Sequence, residues 1–486
     1  MDRNELLRLK GFYENELTNR ILAFWLPRCE DREYGGYVNC FDNAGEKLQS
    51  YDKYTWSQGR FVWVFSRLAV TKAGIFSRKQ RQEFLRLAKT GRDFLIRHCL
   101  MGPEDWRCVY LMERDGSPRH VEGWEPLDMS IYADCFVVLA MAGYGAAAGD
   151  REAYAFGKRL YESILERVKS GRYNILPYPL SERYRAHGIP MILSNVTKEL
   201  HESAALLEPD SGYCIVLRER LGGFTDDILN HFADERNVIH EVIAADNRPV
   251  EGLLGQHANP GHTIEDMWFM IEAADLLGRE ELVPRIAGIT AQALEIGWDR
   301  EFGGILHYSA VTGGPPVGAE ELSAEMEPVK AGGPPVGTEE LSAEMEPVKA
   351  GGPPVGTEEL SAEMEPVKAD VPPDGAGAVI EPVERQVREG WGDKLWWVHS
   401  EALYTTLLCY HRTGEARFLD WHEKVFSYTF RTFPNCDPEV REWKQICKRD
   451  GSPQDKVVAL PVKDPFHITR NLILILELLE TMMEMD

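Results

Sequence analysis

The chain has 486 residues, of which 44% are hydrophobic and 27% are charged, and its formal net charge is −24 at pH 7. This length is enough for a large core, either in one large barrel or in two to four domains. The strong negative charge argues against nucleic acids and anionic membrane surfaces as partners.

Cysteine usage and the apolar runs indicate the compartment. The nine cysteines are scattered and form no Cys-x-x-Cys pair, so neither a disulfide framework nor a zinc site is predicted. The first residues are charged and open an amphipathic helix rather than a signal peptide. No apolar run reaches the ~20 residues that a membrane-spanning helix needs. We therefore expect a cytoplasmic protein with reduced thiols and no membrane partner.

Helical periodicity dominates the chain. Residues 3–26 form an amphipathic pattern that ends at Pro27, and residues 55–68 form a second pattern. Further helices are predicted at 79–98, 128–147, 151–170, 192–208, 224–234, 262–277, 280–297, 394–412, 415–430 and 465–484. About a dozen helices and few strands predict an all-α fold of stacked helical hairpins, and the uniform texture favours a closed toroid of inner and outer helices.

Two turn motifs that lie far apart resemble each other. Residues 31–37 read Asp-Arg-Glu-Tyr-Gly-Gly-Tyr, and residues 299–305 read Asp-Arg-Glu-Phe-Gly-Gly-Ile. Each pattern is typical of a turn that leads into a short strand. Their recurrence predicts a weak internal repeat in the structure.

One acidic segment interrupts the helical texture. A 19-residue unit at 313–331 recurs almost unchanged at 332–350 and 351–369, and each copy carries four glutamates, one lysine and several prolines. Such a composition favours disorder or transient helix. We therefore expect one domain over residues 1–486, interrupted at 313–380 by an insertion in a surface loop; a partner-binding tail is the alternative.

Five predicted helices carry polar or aromatic side chains at helical spacing near their starts. These are Trp56 and Arg60; Asn195 and Glu199; His262 and Glu265; Trp397 and Glu401; and His467 and Arg470. One such pair is usually structural: His262 with Glu265 is equally consistent with a helix cap and an ion pair, and Arg60 with a side chain that snorkels from a core helix. Five pairs predict a shared polar pocket at one end of a barrel.

Four motifs in this order resemble a known family. They are Trp56-Ser57-Gln58-Gly59-Arg60, Pro260-Gly261-His262-Thr263-Ile264-Glu265, Trp396-Trp397-Val398-His399-Ser400-Glu401 and Pro465-Phe466-His467. The set resembles the N-acylglucosamine 2-epimerase family, which also contains cellobiose 2-epimerases and related aldose–ketose isomerases. The resemblance covers nearly the whole chain apart from 313 to about 388. It implies an (α/α)6 barrel with a few short β-hairpins and proton transfer at carbon 2 of a sugar.

The resemblance also implies a role for individual residues. The implied catalytic residues are the acid/base histidines His262 and His467, Arg60 near the carbonyl oxygen, and the supporting carboxylates Glu265 and Glu401. The implied substrate contacts are Asn195 and the sugar-stacking Trp397, and we also expect Trp56, Glu199, His399 and Arg470 to bind substrate. Cellobiose epimerases tend to carry histidine where this chain has Glu199 and glutamine where it has His399. Both departures favour a monosaccharide substrate, such as N-acetylglucosamine and N-acetylmannosamine.

These roles agree with the chemistry that 2-epimerisation requires. A proton must leave the carbon beside a carbonyl and return to the opposite face, and two histidines can serve as acid and base near neutral pH. The enediolate oxygen needs a fixed cation, for which Arg60 is the candidate, and Glu265 is expected to orient His262. We therefore expect no metal, nicotinamide or other cofactor. A metal on His257, His262 and Glu265 is the weaker alternative.

Several alternatives stay open at this point. An aldose–ketose isomerase of the mannose/fructose type would use the same histidines and return the proton to carbon 1. An inverting glycosidase would need Glu265 and Glu401 about 6.5–9.5 Å apart. A non-catalytic sugar-binding protein would need neither. The expected partner is a small sugar, and a homodimer stays open because no dimer seam can be read from the sequence.

Overall fold

The computed structural model describes residues 1–317, 381–456 and 461–485. The predicted insertion at 313–380 therefore lies outside the described residues, except for its first five. Fifteen α-helices occur in the described part of the chain: α1 (Arg3–Asn15), α2 (Leu22–Trp25), α3 (Thr55–Val70), α4 (Arg78–His98), α5 (Ile131–Ala148), α6 (Arg151–Ser170), α7 (Gly188–Leu207), α8 (Tyr213–Asp227), α9 (Gly252–Gln256), α10 (Pro260–Leu277), α11 (Val283–Gly297), α12 (Pro382–Gly390), α13 (Trp396–Thr413), α14 (Arg417–Thr432) and α15 (Phe466–Met485).

The long helices alternate between an inner and an outer layer. Helices α3, α5, α7, α10, α13 and α15 contact one another in this order, and α15 contacts α3, so the inner ring is closed. Each inner helix also packs against one outer helix, namely α4, α6, α8, α11, α14 and α1, respectively. Six inner and six outer helices make an (α/α)6 barrel, which confirms the all-α fold predicted from the sequence.

Burial differs between the layers as the sequence patterns require. The inner helix α5 buries thirteen of its eighteen residues, whereas its outer partner α6 buries six of twenty along one face. An outer helix needs one apolar stripe, but an inner helix is covered on nearly all sides. Among the described helices, α5 alone is long and apolar enough to cross a membrane, and 72% of it is buried inside the barrel. This burial is what a core helix of a toroid shows.

Eleven short strands occur in the described part of the chain: β1 (Cys40–Phe41), β2 (Leu48–Ser50), β3 (Lys53–Tyr54), β4 (Leu111–Met112), β5 (Pro118–Arg119), β6 (Tyr184–Ala186), β7 (Val242–Ala244), β8 (His257–Ala258), β9 (Ser309–Ala310), β10 (Lys394–Leu395) and β11 (Ile446–Cys447). All pairs are antiparallel: β1–β2, β3–β4–β5, β6–β7, β8–β9 and β10–β11. Only β1–β2 and β4–β5 are hairpins. These two pairs agree with the expectation of a few short β-hairpins, whereas the other pairs join distant segments of the described chain.

The strands mark one end of the barrel. β3, β6, β8 and β10 lie just before the inner helices α3, α7, α10 and α13, so these helices begin at the same end. The start of α10 shows how the sequence sets such a beginning. The side chain of Asn259 accepts a hydrogen bond from the backbone N–H of His262, and Pro260 occupies the first helical position, where its missing N–H costs nothing.

Two helix starts differ from the sequence prediction by four residues or more. Helix α7 begins at Gly188 rather than at residue 192, because Pro190 falls in the first turn, where proline is compatible with a helix. Helix α8 begins at Tyr213 rather than at residue 224, because the helix tolerates Gly222 and Gly223 in its interior.

The internal repeat predicted from the two turn motifs is present. Asp31 lies 3.0 Å from the Lys53 ammonium, and its carboxylate also accepts two hydrogen bonds from Arg114 at 3.0 and 3.1 Å. Asp299 lies 3.0 Å from the Lys394 ammonium and accepts two from Arg449 at 2.9 and 3.1 Å. Both arginines begin the same pentapeptide, Arg-Asp-Gly-Ser-Pro. Each of these Asp–Lys–Arg clusters holds the strand that leads into an inner helix, α3 or α13.

Candidate active site

The histidine His467, at the start of α15, is bonded on both ring nitrogens. Its Nδ1 lies 2.7 Å from Glu401 Oε1, and its Nε2 lies 3.2 Å from Arg60 Nη2. A guanidinium can only donate, so Nε2 accepts from Arg60 and carries the lone pair. Nδ1 also lies 3.3 Å from Arg470 Nη2, but its contact with Glu401 is much shorter, so Nδ1 carries the proton and donates it to Glu401. Burial holds the pKa of His467 well below its usual range; the charge of Glu265 opposes this shift, and the cations of Arg60 and Arg470 add to it. This ring is a neutral base.

The histidine His262, at the start of α10, has a different setting. Its Nδ1 lies 2.7 Å from Glu241 Oε1, while its Nε2 has no hydrogen-bond partner in the described part of the chain, and 34% of its side chain is exposed. Burial alone would lower the pKa of His262, but the charge and hydrogen bond of Glu241 raise it above its usual value. This ring favours the protonated form. Glu241, rather than the predicted Glu265, orients it.

Trp397 lies beside both histidines. Its ring centroid is 5.8 Å from that of His262 and 5.3 Å from that of His467, with interplanar angles of 37° and 38°. The structure therefore brings together the two histidines that the sequence places 205 positions apart. Each histidine has a carboxylate behind Nδ1, so the pair forms two His–carboxylate dyads around one tryptophan.

Arg60 is held in a fixed position beside His467. Its guanidinium lies 4.2 Å from the ring centroid of Phe136, 4.9 Å from that of Phe466 and 5.2 Å from that of Trp56. Its Nη1 is 3.4 Å from Asp464, a carboxylate that the sequence prediction did not include. Arg60 is therefore stacked among aromatic rings and does not snorkel from a core helix.

A pocket opens at this end of the barrel. It is lined among other residues by Trp56, Arg60, Trp397 and Asp464. The ring of Tyr132, the second residue of α5, packs 5.7 Å from that of Trp56, and its hydroxyl has no hydrogen-bond partner among the described residues. Indole faces suit the C–H faces of a sugar, and the charged groups suit its hydroxyls.

Arg470 joins the two buried carboxylates instead of facing the pocket. Its Nη2 donates to Oε1 of both Glu265 and Glu401, and its side chain is only 3% exposed. This is a correction to the prediction that Arg470 contacts the substrate. A guanidinium in this position neutralises two carboxylates that would otherwise be too costly to bury.

The donor atoms of Glu265, Glu401 and His467 lie within 4.8 Å of one another, a spacing that could hold a metal ion. Arg470 already supplies a cation to both carboxylates, so this donor set is satisfied without a metal. This set is not the alternative metal site on His257, His262 and Glu265. His257 is fully buried, and its Nδ1 lies 3.0 Å from the carbonyl of Leu253. The expectation of no metal stays a prediction.

His399 is not part of the pocket. Its Nε2 accepts a hydrogen bond from the backbone N–H of Ile305 at 2.9 Å, and its Nδ1 lies 2.7 Å from the carbonyl of Leu395. The ring is fully buried and stacks on Tyr428, with the centroids 5.1 Å apart. The prediction that His399 binds substrate is corrected accordingly: on α13 it faces the outer layer, away from the face that carries Trp397.

Asn195 and Glu199 lie one turn apart on α7. The Asn195 side chain is buried and has no hydrogen-bond partner in the described part of the chain, so it is free to bind a ligand. Glu199 accepts a hydrogen bond from Trp63 Nε1 at 3.0 Å and lies 4.0 Å from the ammonium of Lys198. No contact between described residues joins Glu199 to either histidine. The structure thus does not bring Glu199 into the cluster as predicted.

The residues that sequence reasoning missed lie outside the helical patterns or have no helical partner. Glu241 stands in a non-helical stretch just before β7, and Asp464 just before α15. A polar residue beside a short apolar strand was the available signal for Glu241. The partner of Glu241, His187, precedes α7 and gave no periodic signal.

Comparisons with known proteins show the family to which the chain belongs. The family model of N-acylglucosamine 2-epimerase matches residues 36–332 and 367–470. The chain is 27% identical over 474 residues to the N-acylglucosamine 2-epimerase of Bos taurus, covering 96% of this chain and 90% of that protein. Among solved structures, cellobiose 2-epimerase from Spirochaeta thermophila DSM 6192 is similar with a TM-score of 0.67 at 18% identity, covering 99% of this chain and 98% of that one. A D-mannose isomerase is similar with a TM-score of 0.65 at 16% identity, covering 97% and 98%. Given a family match over most of its length, the chain belongs to the N-acylglucosamine 2-epimerase family.

Proposed function

We propose that this protein is a sugar 2-epimerase that interconverts N-acetylglucosamine and N-acetylmannosamine. The observation that carries the proposal is the pair of His–carboxylate dyads beside Trp397, with Arg60 bonded to one of them. Two proton-transferring groups are what inversion at one carbon requires. The names of the related proteins support a sugar as substrate.

The two histidines divide the chemistry by their protonation states. Neutral His467 removes the proton from carbon 2 through Nε2, and the C–H electron pair forms a double bond between carbons 1 and 2. The carbonyl oxygen at carbon 1 becomes negative, and Arg60, 3.2 Å from the same Nε2, stabilises it. Protonated His262 then delivers its Nε2 proton to the opposite face of carbon 2. The product carbonyl re-forms, and the two rings have exchanged protonation states.

The opposite shifts of the two pKa values suit this division. Groups whose environments push their pKa values apart can serve as acid and base at one pH. His467 is lowered by burial, and His262 is raised by Glu241 against burial. In the reverse reaction His262 is the base and His467 the acid, so the same geometry serves both directions.

The alternative function is aldose–ketose isomerisation at the same site. It is favoured by one observation, the structural similarity to a D-mannose isomerase. With an aldose that carries a hydroxyl on carbon 2, loss of the carbon 2 proton gives an enediolate. The proton would then return to carbon 1, while the hydroxyl proton on carbon 2 moves to the oxygen of carbon 1 and leaves a ketone at carbon 2. A non-catalytic sugar-binding role would leave both His–carboxylate dyads without a use.

The geometry argues against an inverting glycosidase. Such an enzyme keeps its carboxylates about 6.5–9.5 Å apart so that a water fits between them. The nearest oxygens of Glu265 and Glu401 lie within 4.8 Å of each other, and Arg470 Nη2 bonds to both.

Proton NMR of the sugars in deuterated water tests the proposal. Loss of the carbon 2 proton signal of N-acetylmannosamine, together with the appearance of N-acetylglucosamine, is expected. Conversion of mannose to fructose without epimerisation of the N-acetyl sugar would establish the isomerase instead. Binding of either sugar without any exchange at carbon 2 would contradict both.

The remaining expectations belong to the same proposal. The reaction needs no cofactor, because the chain supplies both proton-transfer groups and the cation. The nine free thiols support a reducing, cytoplasmic setting. The exposed apolar side chains of Leu206 and Ile215, 68% and 64% accessible on the paired helices α7 and α8, are a starting point for testing a homodimer by analytical ultracentrifugation.

A further inference from the structure

A row of buried ionisable side chains runs behind His262. Glu241 uses Oε1 for His262, and its Oε2 lies 3.6 Å from Nδ1 of His187. His187 in turn contacts Asp266 through Nε2 at 2.8 Å. The side chains of His187 and Asp266 are both 0% exposed. Neither touches the pocket, and the proposed proton transfer uses neither. Burying such groups is costly, so their presence needs an explanation beyond packing.

The two carboxylates beside His187 favour its protonated form. Burial by itself would lower its pKa, but Asp266 and Glu241 on either side raise the pKa of His187 to about 10. Nε2 of His187 is hydrogen-bonded to Asp266, whereas Nδ1 lies 3.6 Å from Glu241 Oε2, beyond hydrogen-bond distance, so this second contact is electrostatic. Burial would raise the pKa of Glu241, but the two histidines hold it well below its usual range. Glu241 is therefore an anion shared between two rings.

Sharing Glu241 has a consequence for His262. A carboxylate bonded to one ring nitrogen favours the protonated form of that ring, and a nearby cation opposes this preference. A general acid that holds its proton too strongly transfers it slowly, because acid–base catalysis is most efficient when the pKa lies near the working pH. The cation of His187, beside Oε2 of Glu241, limits how strongly Glu241 favours the protonated form of His262.

We propose that His187, held as a buried cation by Asp266, is a positioning residue that fixes Glu241 against His262 and weakens the preference of this ring for its protonated form. The inference rests on the proposed function in so far as it concerns catalysis. It goes beyond that function in naming residues that never touch the sugar.

Other ionisable groups also act on this row. The groups that influence His262, Glu241 or Asp266 from the neighbouring elements are Glu265 on α10, His467 on α15, Tyr132 on α5, His257 on β8, and His307 and Tyr308 before β9. Among these, Glu265 is bonded to Arg470, and burial lowers the pKa values of His257 and His307. None of them contacts Glu241 Oε2 in the described part of the chain, which leaves that oxygen to His187.

Variants at residue 187 separate this role from a structural one. NMR titration of the His262 ring, assigned by its loss in His262→Asn, measures the pKa of this group without any turnover. His187→Gln removes the cation, so the pKa of His262 is expected to rise by about one unit, a tenfold change in proton affinity. His187→Lys keeps a cation and is expected to keep the native value. His422→Gln alters a buried histidine that is bonded to Tyr13, away from this row. It is the matched control and is expected to leave the pKa of His262 unchanged.

Two outcomes would overturn the inference. One is a folded His187→Gln variant in which the pKa of His262 stays or falls. The other is measured on the unaltered protein, so it does not depend on a variant that folds: nitrogen shifts of the His187 ring at pH 8 that report a neutral imidazole. If the pKa of His262 shifts as expected but no sugar is turned over, the proposed function fails and the role of His187 toward His262 stands.

Discussion

Gln58 on α3 and His399 on α13 occupy equivalent positions in the two halves of the internal repeat. Each lies five residues after the lysine of its Asp–Lys–Arg cluster, Lys53 or Lys394. Each accepts a hydrogen bond from the backbone N–H that follows a Gly-Gly turn. Gln58 Oε1 accepts from Tyr37 at 2.7 Å, and His399 Nε2 accepts from Ile305 at 2.9 Å. His399 therefore has the same structural role as Gln58, because each accepts a hydrogen bond from a buried backbone N–H.

This equivalence predicts that His399→Gln leaves sugar turnover unchanged. A glutamine can accept the same hydrogen bond, so the free energy of unfolding should change by no more than about 1 kcal/mol. His399→Ala should lower it by about 1–3 kcal/mol, because the Ile305 N–H would be buried without an acceptor. Urea unfolding and sugar turnover measured on both variants check this. A large loss of turnover in a stable His399→Gln protein would restore the substrate-binding role.

Replacing either histidine of the site should stop epimerisation in a characteristic way. His262→Asn and His467→Asn each remove one of two proton-transfer groups, and we expect turnover to fall by about 10²–10⁴-fold. Each variant keeps one base, so it should still exchange the carbon 2 proton of one epimer with deuterated water. The two variants should act on opposite epimers. Exchange of both epimers by a single-histidine variant would contradict the assignment of one base to each face.

The dependence of turnover on pH follows from the two shifted histidines. In the direction in which His467 is the base, His467 must be neutral and His262 must be protonated. Activity therefore rises as the pH rises through the lowered pKa of His467 and falls as the pH rises through the raised pKa of His262. The plateau of kcat/KM should span pH 6.5, with the acidic limb well below it. A profile with a single limb at pH 6.5 would show that the two histidines are not shifted apart.

Removing the Arg470 guanidinium should destabilise the protein. Arg470→Met leaves Glu265 and Glu401 buried without their shared cation, which should lower the free energy of unfolding by about 3–5 kcal/mol. Combining Arg470→Met with Glu265→Gln removes one of the unpaired charges and should restore part of the loss. Urea unfolding of the single and double variants measures the loss of unfolding free energy and its partial recovery. Equal stability of the two variants would argue against a role of Arg470 in neutralising these carboxylates.

Deleting the acidic repeats should leave catalysis unchanged. The described residues on either side of 318–380 make the closed inner ring and carry all the residues assigned to the site. A chain in which a short Gly-Ser linker replaces residues 318–380 should keep kcat/KM within about twofold and keep its melting temperature. Its matched control is a chain in which lysine-free spacer residues of equal length replace the repeats. A drop in kcat/KM only in the deletion would assign the length of this segment a role.

The sequence was most informative where periodicity carried the signal. Trp56 and Arg60, Trp397 and Glu401, and His467 stand at helical spacing in apolar helices, and their common position near helix starts predicted one pocket. That prediction required no knowledge of distances, because inner helices that start at one end of a barrel bring their first turns together. The family resemblance then supplied roles that spacing alone leaves open.

Partners that belong to other elements could not be read in this way. Glu241 precedes a short strand, yet it is the carboxylate that orients His262, whereas Glu265 on the same helix turns toward Arg470. Helical spacing reports that two side chains share a face, but a hydrogen bond depends on which neighbour approaches across the barrel. Likewise, His399 has the residue type of an acid–base group, and only its two backbone contacts reveal a structural role.

The common starting end of the inner helices has an electrostatic consequence. The backbone dipoles of a helix add up to about half a positive elementary charge at its N-terminus. Six such ends converge on the pocket of a chain whose net charge is −24. These helix ends contribute a positive backbone potential to the mouth, although the protein as a whole is strongly acidic. Mobile ions screen the acidic exterior within about 10 Å at 0.1 M salt, but they do not reach buried backbone dipoles. An anionic intermediate is stabilised by the architecture of the barrel itself, before any individual side chain contributes.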